Sequence, residues 1–267
     1  MKPTPYITLL GAGPGDPDLL TIKGMKALEK AHVVLYDALA SEALLGYTPL
    51  GCQHIFVGKR AGNHRYSQTH INQLMVQYAQ THGHVVRLKG GDPFIFGRGH
   101  EELSFAQAHG IPVQIVPGVS SLGAVPGLQQ IPLTKRHTND SFWVLTATRS
   151  GGRLSPDLYR AAETDATVVI FMGLRKLEEI SRIFQEKGKA RTPVAVIQSG
   201  SLPEEKVALG KVENIAARVE SLGLSTPALI VIGEVVRFHP NFPHSQADSV
   251  HDTQAVPIGI SSLLLKT

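Results

Sequence analysis

Residues 85–102, VVRLKGGDPFIFGRGHEE, hold the densest set of groups in the chain able to grip a small ligand. Asp92 supplies an acceptor just past an apolar run. Arg98 supplies a fork of donors suited to a carboxylate. Gly90 and Gly91 let the backbone turn sharply and approach a ligand with no Cβ in the way. Ile95 and two phenylalanines add apolar surface. Pro93 ends any continued strand ladder, and Glu101 and Glu102 sit where the first turn of a helix favours acids. A glycine-rich turn from strand to helix is where α/β proteins bind small ligands. Four glycines with an acid, an arginine and two aromatics outweigh the reading of a plain tight turn.

The elements around this stretch alternate strand and helix. Strands are expected at 6–10, 33–36, 54–57, 85–88 and 112–116. Helices are expected at about 19–30, at 41–46 with Ser41 as cap, from Ser67 to Gly83, from about 99 to 110, and at 122–128. This alternation predicts a mainly parallel sheet covered by helices. Loops 11–17 (GAGPGDP), 90–99 and 117–121 (PGVSS) all follow strands, so they gather at the carboxyl edge and face one crevice. Asp37 and Lys59 also end strands on that side. A boundary is expected at 129–139. A second α/β unit follows, with strands at 142–146, 167–171, 193–197, 206–210 and 228–232, the last two as a closing pair. Its helices fall at 174–187 and 212–222. The expected domains are 1–130 and 131–239, with 240–267 as a mobile tail.

The 267 residues are 42% hydrophobic and 18% charged, ordinary for a globular protein, with a net charge of +4. That mild basicity favours an anionic substrate and is too weak to argue for nucleic acid. The single Cys52 excludes an intramolecular disulfide and a cysteine-paired metal site, so no metal is expected. No secretory signal and no apolar run near 18 residues is visible, so a cytoplasmic protein without a membrane span is the expectation.

Gly11-Ala12-Gly13 after a strand, with Asp37 closing the next strand, imitates a dinucleotide fold. The third glycine is missing: position 16 is Asp. Pro14 and Pro17 remove amide donors that a pyrophosphate would use, and no GxxxxGK[ST] frame exists. The crevice suits a ligand without phosphates, held by backbone groups from several loops.

Three motifs in order, GAGPGDPDLLTIKG, VRLKGGDPFIFGRGHEE and PVQIVPGVSS, resemble the tetrapyrrole methylases that use S-adenosylmethionine. The middle one is most similar to uroporphyrinogen-III C-methyltransferases, which make precorrin-2 for sirohaem and cobalamin synthesis. The resemblance covers about residues 5–238. It implies a two-domain fold with the active site in the cleft and a mixed sheet in the second domain. By position it implies cofactor contacts at Pro14, Gly90, Gly91, Asp92, Ile95, Ser120, Ser121, Met172, Gly200 and Ala228. Asp37 matches the family's general base and Lys59 its general acid. The implied substrate is uroporphyrinogen III, methylated at C2 and C7, the implied coproduct is S-adenosylhomocysteine, and a homodimer is implied.

A substrate with eight carboxylates needs a basic trough. Arg60, Arg65, Arg87, Lys89, Arg98, Lys135, Arg136 and Arg149 lie in or near the loops, with Arg98 and Arg136 the first candidates. One segment departs from the family pattern: after FWVLT many relatives carry Gly-His, and this chain reads Ala147-Thr148-Arg149. The competing readings are a later precorrin methylase of the same fold, a nucleotide-dependent oxidoreductase, and a binding module using the basic face. No RNP-like aromatic motif supports the last.

Overall fold

The computed structural model describes residues 3–58, 66–149 and 151–243. Lys59, Arg60, Arg65 and nearly all of the tail lie outside them.

The first sheet contains β1 (Tyr6–Gly11), β2 (Val33–Tyr36), β3 (Gln53–Phe56), β4 (His84–Lys89) and β5 (Val113–Val116), in the order β3-β2-β4-β1-β5. Every pairing is parallel. The period-2 alternation of the strands divides its core in two. Ile7, Leu9, Val33, Leu35 and Val85 face α2 (Gln68–His82) and α3 (Gly99–Ala108), meeting Ile71, Met75, Ala79 and Ala106. Leu10, Val34, Val86 and Leu88 face α1 (Ile22–Leu28), meeting Ala27 and Leu28. The helix after β1 therefore covers one face and the helix after β4 the other. Adjacent strands whose connections leave to opposite faces open a crevice at their carboxyl ends.

Local chemistry sets the helix ends. Ser67 Oγ accepts from the His70 amide, and α2 stops at Gly83, where φ is 95°. Thr21 caps α1 in the same way by accepting from the Gly24 amide. The helix expected at 19–30 accordingly starts later, because Pro17–Leu19 forms a separate 3-10 turn capped by Asp16. Ser41 precedes a 3-10 helix, Glu42–Tyr47, without a side-chain cap bond.

The second sheet contains β6 (Phe142–Thr146), β7 (Thr167–Phe171), β8 (Pro193–Gln198), β9 (Lys206–Lys211) and β10 (Ala228–Ile232), in the order β6-β7-β10-β8-β9. It is mixed: β6 and β7 are parallel and the remaining pairs antiparallel. The strands at 206–210 and 228–232 are therefore not a pair, since β8 lies between them. The segment 174–187 is a 3-10 turn, Leu174–Lys176, followed by α6 (Leu177–Glu186). The helix expected at 212–222 is shorter, α7 (Ile215–Ser221), and a short α5 (Asp157–Ala161) had no clear sequence signal.

Helices α5, α6 and α7 cover one face of this sheet through Leu158, Ile180, Phe184 and Ile215. The other face packs against α4 (Ser121–Leu128), whose Val125 joins Val169, Ala195 and Leu229 in one cluster with Val235 and Val236. The helix that leaves β5 thus seats on the second sheet and ties the two layers together.

Candidate active site

Three glycine loops meet above the carboxyl edge of the first sheet at backbone-to-backbone distance. A Cβ built on Gly118 falls 2.1 Å from the Gly91 carbonyl oxygen and 2.7 Å from Gly11 Cα. No residue but glycine permits this approach. Gly13 and Gly91 exchange amide hydrogen bonds of 3.3 and 2.7 Å, and the Ala12 amide donates to the Lys89 carbonyl at 2.7 Å. Asp92 fastens the assembly: its Oδ1 accepts from the Phe94 amide at 2.8 Å and its Oδ2 from the Gly118 amide at 3.1 Å. Its Oδ2 thus closes loop 90–99 onto the loop after β5, while its Oδ1 holds the turn within loop 90–99.

The second sheet completes the crevice. Gly200 lies against α4, where an added Cβ would come 2.5 Å from Val125 Cγ1. The Asp16 amide donates to Ser201 Oγ at 3.1 Å, and Ser120 caps α4 by accepting from the Leu122 amide. Ala228 opens β10 opposite Gln198. Phe96 and Phe171 stack across the gap at 5.2 Å between centroids. Met172 follows Phe171 and is 59% exposed with φ 54°, so packing in the core does not account for it. Seven non-glycine residues among those described have positive φ, and five of them, Phe96, Arg98, Met172, Ser199 and Ser201, fall in loop 90–99 or just past strands of the second sheet. Such backbone is uncommon outside glycine and concentrates at functional sites.

Pro14, Gly90, Gly91, Asp92, Ile95, Ser120, Ser121, Met172, Gly200 and Ala228 therefore lie on the loops and strand ends that border one crevice. Asp37 is beside them, directly past β2. Its Oδ1 accepts from the amides of Leu39 (3.2 Å) and Gly90 (3.4 Å), and its Oδ2 from Arg87 Nη2 (3.2 Å). Its side chain is 25% exposed. The contacts of Arg136, which is exposed in the Lys135–Asn139 turn, give no link to this group.

The basic trough needs correction. Arg87 and Lys89 are buried, not presented to a substrate. Both bind the fully buried Glu102: Arg87 Nε at 3.1 Å and Lys89 Nζ at 3.0 Å. Burial pushes the Lys89 ammonium below its ordinary value and Arg87 adds to this, while Glu102 opposes both. Removing one partner of such a buried pair costs about 3–5 kcal/mol. Arg98 is about half exposed, but its fork is already held by Glu101 at 2.8 and 2.6 Å, which raises the guanidinium's value and lowers that of the carboxyl. Lys135 sits over the Phe238 ring at 4.4 Å, and Arg149 lies 3.8 Å from Asp157. Among the described residues, no cluster of His, Cys, Asp or Glu is placed to hold a metal ion, and no helix is long and apolar enough to cross a membrane.

Sequence reasoning passed over Ser201, took Glu102 for an ordinary first-turn acid, and gave Phe96 apolar surface without its partner Phe171. Glu102 had a signal: two cations on the buried face of a strand require an anion nearby. Ser201 and the pairing of Phe96 with Phe171 had none, because each contact crosses the seam between the sheets.

Strand-end glycine loops of a parallel sheet facing a second sheet are the arrangement in which α/β proteins bind small ligands. The profile of the tetrapyrrole (corrin/porphyrin) methylases matches residues 6–216, and the chain belongs to that family. The uroporphyrinogen-III C-methyltransferase of Methanocaldococcus jannaschii is 40% identical over 235 residues, 87% of this chain and 97% of that one. The siroheme synthase of Saccharophagus degradans is 41% identical over 240 residues, 90% of this chain and 52% of that protein. The chain thus spans about half the length of the siroheme synthases it matches. The structure of uroporphyrin-III C-methyltransferase from Thermus thermophilus complexed with S-adenosyl homocysteine superposes with a TM-score of 0.75 at 39% identity, covering 87% of this chain and 99% of that one. A cobalt precorrin-4 methyltransferase superposes at 0.78 with 28% identity, covering 86% and 95%.

Proposed function

We propose that this chain moves a methyl group from S-adenosylmethionine to ring carbons of uroporphyrinogen III, at C2 and C7, giving precorrin-2 for sirohaem or cobalamin synthesis. The observation that carries the reading is the locked meeting of loops 11–17, 90–99 and 117–121 beside Asp37, across from Met172 and Gly200. The family match and the methyltransferase relatives support it.

The crevice fits the cofactor on its own chemistry. A Cβ at Gly91, where φ is 65°, meets nothing within 4 Å, so a bare backbone faces open space. Exposed Met172 and Phe96 offer apolar walls. A sulfonium with an adenosine needs carbonyl acceptors and such walls more than a phosphate cradle. Pro14, Gly90, Gly91, Ile95, Ser120, Ser121, Met172, Gly200 and Ala228 would hold it, with Asp92 acting through the loop it closes. Bound there, S-adenosylmethionine supplies an electrophilic methyl on a good leaving group, so much of the rate comes from positioning. Asp37 accepts the proton that the substrate must lose, and Lys59 serves as the acid. Arg98, once it exchanges Glu101 for a substrate carboxylate, and Arg136, Arg60 and Arg65 supply the basic face. A cytoplasmic homodimer is part of the same proposal.

The test is anaerobic incubation of the purified protein with S-adenosylmethionine and uroporphyrinogen III. A dimethylated product is expected, and its absence with folded protein sinks the reading. The likeness to a cobalt precorrin-4 methyltransferase keeps a second reading, methylation of a later intermediate, which assignment of the methylated carbons by NMR decides.

A further inference from the structure

We propose that Arg87, anchored by Glu102, is a positioning residue that fixes the carboxylate of Asp37 against the glycine loop. This deepens the reading of Asp37 as proton acceptor and rests on it. Arg87 lies on the buried face of β4, toward α2 and α3. Its Nε donates to Glu102 Oε1 at 3.1 Å, its Nη1 to the carbonyls of Leu35 (3.3 Å) and Leu88 (2.9 Å), and its Nη2 to Asp37 Oδ2 at 3.2 Å. Four donors of a rigid planar group thus meet fixed acceptors, so the fork cannot turn without losing several bonds. The other oxygen of Asp37 takes the amides of Leu39 and Gly90. The carboxylate is clamped between the interior of the sheet and the loop that faces the crevice.

Glu102 is the base of this post. It is 0% exposed and also receives Lys89 Nζ and Gln68 Nε2, the latter at 3.1 Å. Two cations, Arg87 and Lys89, balance two anions, Glu102 and Asp37. Asp37 alone of the four has appreciable exposure. Stability does not call for such a group, since well-packed apolar residues serve as well or better at buried positions. An interior built of charges that emerges at one carboxylate is suited to holding that carboxylate still.

The test is Arg87→Lys, which keeps the charge and replaces the fork by a single ammonium. The variant is expected to melt at a lower temperature than wild type, because one ammonium cannot meet all four acceptors, yet to stay folded at the assay temperature with its affinity for S-adenosylhomocysteine within about twofold. KM for uroporphyrinogen III stays nearly constant while kcat falls about 10- to 100-fold, the penalty of a reacting group displaced by a fraction of an ångström to 1 Å. In a crystal structure of the variant, Asp37 leaves the Leu39 and Gly90 amides. An unchanged kcat, a rise in KM alone, or an Asp37 carboxylate still on both amides overturns the proposal. Should the variant fail to fold, Glu102→Asp carries the same readouts, because it shortens the anchor by one methylene and keeps every charge. A wild-type protein that transfers no methyl group defeats the functional reading instead, and the crystallographic arm still decides whether Arg87 fixes Asp37.

Discussion

Replacing Gly118 with alanine puts a methyl group where three loops already touch. The new Cβ would stand 2.1 Å from the Gly91 carbonyl oxygen, 2.7 Å from Gly11 Cα and 2.8 Å from the Gly11 carbonyl carbon, all of them backbone. No flexible side chain is available to swing aside, so loops 11–17 and 90–99 must separate from the loop after β5 by more than about 1 Å to reach ordinary contact distance. Overpacking of this kind costs about 1–3 kcal/mol. The same shift pulls the Gly118 amide off Asp92 Oδ2, now 3.1 Å away, and a hydrogen bond to a charged group contributes about 1.5–3 kcal/mol. Together the expected loss is roughly 2.5–6 kcal/mol, a drop in melting temperature of about 5–24 °C for a chain of this size. Affinity for S-adenosylhomocysteine, read by calorimetry, is expected to fall at least tenfold. Gly123→Ala is the control. Nothing lies within 4 Å of its Cβ position, and it is inside α4, where alanine is the better residue by about 1 kcal/mol. Equal melting temperatures and equal affinities for the two variants would refute the packing argument.

Two other perturbations probe separate parts of the molecule. His84 is half-buried beside Thr8 Oγ1 (2.8 Å) and the Lys30 carbonyl (2.9 Å), and partial burial, with smaller contributions from His32 and Lys30, holds its imidazole below the ordinary value of 6.5 against the pull of the Lys30 hydrogen bond. The unfolded chain therefore takes up a proton before the folded one does. The contribution of His84 is complete above pH 6.5 and is lost as pH falls through the folded value. Urea unfolding of wild type and His84→Asn between pH 8 and 5 should show the stability difference shrinking on acidification, and parallel curves would count against it. Arg98→Ala removes an exposed pair with Glu101 worth at most about 1 kcal/mol, so the melting temperature should barely move. KM for uroporphyrinogen III is expected to rise about tenfold or more with cofactor affinity unchanged, and an unaltered KM removes Arg98 from the substrate face.

What the sequence conveyed about the site follows from how local each determinant is. Gly90-Gly91, Gly11 and Gly118 announce a close backbone approach by themselves, because a missing Cβ at a strand end has few other uses. The Ser67 cap and the Gly83 stop are likewise written in adjacent residues. The order of the second sheet is not, since apolar runs identify β8, β9 and β10 as strands without saying that β8 separates the other two. Met172 was open to misreading for a related reason. An apolar residue at the end of a buried strand looks like core, yet here, in a left-handed turn before Gly173, it is exposed.

The arginines carry the lesson furthest. Arg87 and Arg98 are eleven positions apart, and charge alone assigns both to a substrate of eight carboxylates. Register separates them. Arg87 and Lys89 share the face of Val85 on a strand paired on both sides and covered on both faces, so neither has a route to solvent and each must find an anion inside. That anion is Glu102, one turn into the next helix, where it looks like an ordinary acid of a first turn. Arg98 stands past the strand in a left-handed loop, about half exposed, with its fork on the exposed carboxylate of Glu101. A charge on the covered strand shapes the site by holding another residue, and a charge on the loop beyond it is free to change partners. On the proposed reading, the division between positioning and binding residues is therefore a division between strand and loop.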